Sequence, residues 1–90
     1  MNKHIEIQIS GKVQGVWFRD SVRNAANKLE LVGYVKNNDD GTVTTEVCGD
    51  EKRFKEFIDL CQQGSKSSDV EDIKYVIDDE ICDYNNFEIL

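Results

Sequence analysis

The residue types able to do chemistry gather in two segments. The first, GKVQGVWFR at residues 11–19, sets Gly11 and Gly15 around a short stretch that ends in Arg19. Glycine admits backbone conformations closed to other residues, so main-chain N–H groups can converge there in front of a helix start. Such a loop cradles an anion, and the Arg19 guanidinium adds a forked, charge-assisted contact to a phosphate. On spacing alone, a plain βα turn with a solvated arginine would look the same. The second segment, GYVKNNDDGTVTTEVCG at residues 33–49, carries Asn37 where a strand gives way to a turn. An amide there can both donate to and accept from a small polar partner such as water, although Asn37, Asn38, Asp39 and Asp40 also suit a turn and nothing more. Lys12 and Lys36 add positive field near the cradle only if they are not simply solvated.

The elements that must position these groups follow from the hydrophobic pattern. Ile5, Ile7 and Ile9 alternate with Glu6 and Gln8, which predicts strand one. In DSVRNAANKLEL, Val22, Ala25, Ala26 and Leu29 fall at helical spacing and Gly33 follows as a stop, predicting helix one over about three turns. VGYVKN and TVTTEVC, joined through NNDDG, form a hairpin. EKRFKEFIDLCQQG spaces Phe54, Phe57, Ile58 and Cys61 as a second helix ending at Gly64. Strand four lies in DVEDIKYVI, where Ile73, Tyr75 and Ile77 alternate and Val70 is out of phase, so a bulge is expected near Glu71 and Asp72. The polar stretch DDEICDYNN leads to a short terminal strand, FEIL.

The order βαββαβ with a short C-terminal strand predicts an α+β fold, a ferredoxin-like α/β sandwich. Its two helices lie on one face of a mainly antiparallel sheet, each acting as a right-handed crossover between parallel neighbours. Ninety residues with 39% hydrophobic side chains support one core, hence a single domain over 1–90. Eleven Lys and Arg against 18 Asp and Glu leave a net charge of −7. That sign disfavours nucleic acid and anionic membranes, and strand three lacks the aromatics of an RNA-binding sheet. No apolar run reaches the roughly 18 residues of a membrane span, and no signal-peptide core is evident, so a soluble cytoplasmic protein is expected. Cys48, Cys61 and Cys82 match no metal-ligand spacing and read as reduced thiols, Cys61 buried on helix two. His4 has no second histidine to complete a metal site or relay and reads as an ordinary strand-end residue.

The two chemical segments together resemble the signature motifs of the acylphosphatases, GxVQGVxFR and G(aromatic)VxNxxxGxVxxxxxG. Every specified position is met, the second by Gly33, Tyr34, Val35, Asn37, Gly41, Val43 and Gly49. The resemblance implies hydrolysis of the carboxyl-phosphate bond of a small acyl phosphate. The backbone of Gln14, Gly15, Val16, Trp17, Phe18 and Arg19 would bind the phosphate, the Arg19 side chain would complete the site, and Asn37 would hold the attacking water. The leaving carboxylate has an unperturbed pKa of roughly 4 and needs no protein acid. The substrate's own phosphate would accept the water's proton, with no covalent intermediate, metal or cofactor. A monomer is expected. An anion-binding regulatory module using the same cradle without turnover is the alternative. Members often carry Gly-Pro after helix two; GSKSS stands here, which predicts a looser start to strand four. Asp20 is expected to cap helix one or point to solvent.

Overall fold

The computed structural model describes residues 2–90. The elements are β1 (Asn2–Lys12), α1 (Phe18–Lys28), β2 (Val32–Asn37), β3 (Val43–Asp50), α2 (Phe54–Gln63), β4 (Asp69–Asp78) and β5 (Phe87–Ile89), with a 3₁₀ turn, Glu51–Arg53, leading into α2. One five-stranded sheet has the order β4-β1-β3-β2-β5. All pairs are antiparallel except β2 with β5. The ferredoxin-like arrangement is as expected, but the helices do not join neighbouring parallel strands. β3 lies between β1 and β2, and β1 lies between β3 and β4, so α1 and α2 each cross over an antiparallel strand in a split βαβ unit.

Ile5, Ile7 and Ile9 of β1, with Val35, Val43 and Val47, form the sheet side of the core. Phe18, Val22, Ala25 and Ala26 of α1 and Phe54, Phe57 and Cys61 of α2 close it from above. Burial pushes the Cys61 thiol up to about 12, so this sulfur is packing material and not a nucleophile. The expected bulge is present: Ser10 faces Asp72 and Gly11 faces Val70, leaving Glu71 unpaired.

Gly33 is not the helix stop that its position suggests. α1 ends at Lys28, with Leu29 as its C-cap, and it is Glu30 that turns left-handed, at φ 57°. Arg53 closes this end by donating to the Leu29 carbonyl at 2.7 Å. Gly33 lies inside β2 at φ 149°, where a Cβ would stand 1.8 Å from the Glu46 carbonyl oxygen. Its bareness is a condition for pairing β2 with β3.

β4 and β5 occupy opposite edges of the sheet, so residues 79–86 must cross its full width on the face away from the helices. Four strand spacings amount to about 19 Å, within the roughly 26–29 Å that eight extended residues can reach. This strap is pinned at several points. Cys82 is bonded to Cys48 of β3, with Cα atoms 6.1 Å apart. Tyr84 packs on Tyr34, ring centres 5.9 Å apart, and Asp79 pairs with Lys3. The expectation of reduced thiols is therefore corrected for two of the three cysteines. Only the edge-to-edge crossing brings them together, and spacing along the chain does not encode it.

His4, too, is no ordinary strand-end residue. It sits within β1 at 4% exposure, its Nε2 2.7 Å from Glu46 and its Nδ1 2.9 Å from Asp78. Burial alone would push the imidazole pKa down, but hydrogen bonds to both carboxylates outweigh it and the net shift is upward.

Candidate active site

β1 ends at Lys12, and the chain must turn back over the end of the sheet to start α1. Val13, Val16 and Phe18 fill the core beneath this turn, while Gly15 and Trp17 are exposed. Two left-handed residues make the turn, Gly15 at φ 71° and Trp17 at φ 64°. A Cβ at Gly15 would meet nothing within 4 Å, so it is the left-handed backbone and not crowding that calls for glycine here.

The loop borders a cleft of about 310 Å³ lined by Val13, Gly15, Trp17, Phe18, Arg19, Asp20 and Ile89. Trp17 is the N-cap of α1 and makes no side-chain cap, so the first-turn amides of the helix are not satisfied by a capping side chain. The Val16 carbonyl accepts from the Ser65 hydroxyl. In a trans peptide the following N–H points the opposite way, so the Trp17 amide is turned away from Ser65. Arg19 is held from the far side: its guanidinium donates to the Leu90 carbonyl at 2.8 Å, just beyond β5. Asp20 also borders the cleft and accepts from Arg23 at 3.1 Å, without capping α1.

Of the residues singled out from the sequence, Gly15, Trp17, Phe18 and Arg19 line the cleft; Gln14, Val16 and Asn37 do not. Gln14 acts through its side chain, whose amide donates to the Asn38 carbonyl at 2.8 Å and the Thr42 carbonyl at 2.9 Å. It thereby ties the loop to the β2–β3 turn, next to Asn37. The Asn37 Oδ1 is buried and has no hydrogen-bond partner among the described residues. A buried amide oxygen left unpaired costs about 1–3 kcal/mol, so such an atom calls for a functional account. Lys36 lies over Tyr34, 5.9 Å from the ring centre, and neither Lys36 nor Lys12 lines the cleft.

Ser65 corrects the expectation of a loose GSKSS segment. Ser65 N–H donates to the Ser68 hydroxyl at 2.8 Å, which donates back to the Ser65 carbonyl at 2.9 Å. The turn is closed by serines where proline would stiffen it, and it reaches the cradle through Val16. Ser65, Ile89 and Leu90 were invisible as site residues in the sequence, because they are brought to the loop only by the fold.

The fold and cleft thus define a ferredoxin-like domain in which a crossover loop, a helix start and one arginine share a concave surface. An acylphosphatase family profile matches residues 5–89, and the chain belongs to the acylphosphatase family, hydrolases of acyl phosphates. It is 39% identical over 88 residues to the acylphosphatase of Geobacillus kaustophilus, covering 98% of this chain and 94% of that one. With the acylphosphatase of Bacillus licheniformis it shares 41% over 83 residues, 92% of each. The crystal structure of acylphosphatase from Bacillus subtilis superposes with a TM-score of 0.93 at 36% identity, over 100% of this chain and 99% of the other. No helix among the described residues is long and apolar enough to cross a membrane.

Proposed function

We propose that the chain hydrolyses small acyl phosphates by direct attack of water on phosphorus. The phosphoryl oxygens lie against the backbone amides of Gln14 to Arg19, and the Arg19 guanidinium neutralises charge on the equatorial oxygens. Asn37 holds the water in line through its amide. As the water oxygen bonds to phosphorus, the bond from phosphorus to the acyl oxygen breaks and its electron pair leaves with the carboxylate. The water's proton passes to a phosphoryl oxygen, giving inorganic phosphate. No side chain is needed as general acid, since the leaving carboxylate is a weak base.

The observation that carries this reading is the common cleft of the left-handed loop, the uncapped start of α1 and Arg19. The unpaired Asn37 Oδ1 supports the assignment of the water. We further infer that the protein acts as a monomeric single domain in the cytoplasm, with neither metal nor organic cofactor. Thiol exchange in that compartment acts on the Cys48–Cys82 bond, so oxidised and reduced protein belong in the same assay.

The test is hydrolysis of benzoyl phosphate in the presence of chelator, beside a phosphomonoester. Turnover confined to the acyl phosphate is expected, with Arg19→Ala and Asn37→Ala each lowering kcat/KM by about 10². Phosphate binding with no turnover would favour a regulatory anion-binding module instead, and normal turnover in both variants would remove the site assignment.

A further inference from the structure

Trp17 has no evident structural purpose. Its neighbours Val16 and Phe18 are buried in the core, while its own indole is 79% exposed. Its backbone is left-handed at φ 64°, a conformation that strains an L residue. It occupies the N-cap of α1 without making a cap, where Asn, Asp or Ser would satisfy the helix and suit water better. A large apolar ring held outward on a strained backbone, at the mouth of the cleft it lines, marks a surface kept for a ligand.

The cleft is also divided in character. Arg19 and Asp20 stand at the helix start, whereas Trp17, Val13, Phe18 and Ile89 supply an apolar wall. An acyl phosphate is divided in the same way, with a charged phosphoryl group at one end and an acyl group at the other. With the phosphoryl end at Arg19, the acyl group leaves the cradle along the apolar wall, where an indole face offers stacking to a planar group.

We propose that Trp17 is the acyl-side specificity residue, the side chain whose indole face sets this chain's discrimination between planar, apolar acyl groups and short alkyl ones. This rests on the reading of the cleft as the acyl phosphate site.

Two measurements test it. The first compares kcat/KM for benzoyl and acetyl phosphate in the wild type, Trp17→Phe and Trp17→Asn, asparagine being tolerant of left-handed backbone. A benzoyl preference of about 10-fold or more is expected in the wild type. Trp17→Phe should keep most of it, and Trp17→Asn should lose it chiefly through a higher KM for benzoyl phosphate. An unchanged ratio in Trp17→Asn overturns the proposal, including the case where both substrates weaken together because the loop has moved. The second needs no turnover, since the chain has one tryptophan. Benzylphosphonate should shift the indole emission to the blue at saturation, and methylphosphonate should not; equal responses overturn the proposal. Hydrolysis of neither acyl phosphate by the wild type would be a failure of the parent reading, and an aryl-selective emission shift would then still report the Trp17 surface.

Discussion

At the scale of single residues, charge pairing on the sheet's open face predicts a pH dependence of stability separate from any pH dependence of activity. His4 has its pKa raised above the ordinary histidine value of 6.5, so the stability it contributes is complete below that value and is lost as pH rises through the folded pKa. Asp78 moves the opposite way, because the Glu80 N–H and then His4 hold its carboxylate below the ordinary aspartate value of 3.8. Its contribution is present above that value and is lost as pH falls through the folded pKa. The urea midpoint of the wild type should therefore decline as pH is raised from 6 through 8, and His4→Gln should flatten that decline. A parallel decline in both proteins would mean that the His4 contacts add nothing to stability. None of this is legible in the sequence, since Glu46 and Asp78 lie 42 and 74 residues from His4. Arg19 was legible because its motif is local, running from the end of a strand into a helix. Asn37 was named by resemblance and lies outside the cleft lining, while the unpaired state of its oxygen required the fold.

At the scale of elements, two glycines have opposite reasons for being glycine. In Gly33→Ala the methyl would meet the Glu46 backbone, so β2 and β3 must separate. A loss of about 2 kcal/mol or more is expected from the urea transition. In Gly15→Ala the methyl meets nothing within 4 Å, and the cost is left-handed strain of about 1 kcal/mol. Gly15 also lines the cleft, so kcat/KM should fall more than stability does. Equal stability losses would show that β2 and β3 yield more readily than their spacing suggests. The spacing of apolar residues was enough to locate seven elements, but not to set their ends. β1 continues to Lys12 and α1 begins at Phe18 because Val13, Val16 and Phe18 are buried through the turn, which polar spacing conceals.

At the scale of the whole molecule, the Cys48–Cys82 bond closes a separation of 34 residues. In the chain-entropy treatment such a closure stabilises by about 4 kcal/mol. Urea unfolding with and without a dithiol reductant should show a lower midpoint for the reduced protein, with Cys82→Ser matching the reduced form in either condition. Insensitivity to reductant would mean that the strap's other contacts hold it without the bond. Three cysteines at irregular spacing carry no sign of which two will meet, so the crossing of the open face had to be seen to be known.

That crossing also sets an order in time. The β2–β3 hairpin pairs neighbours in sequence, whereas β5 pairs with β2 across a long separation, Gly33 with Phe87, and long closures of this kind are entropically slow. Yet β5 brings Ile89 to the cleft wall, and the next residue, Leu90, holds Arg19. On contact order, a refolding chain is expected to regain its other strands before β5 and the site, so activity should recover after most of the far-ultraviolet signal has returned.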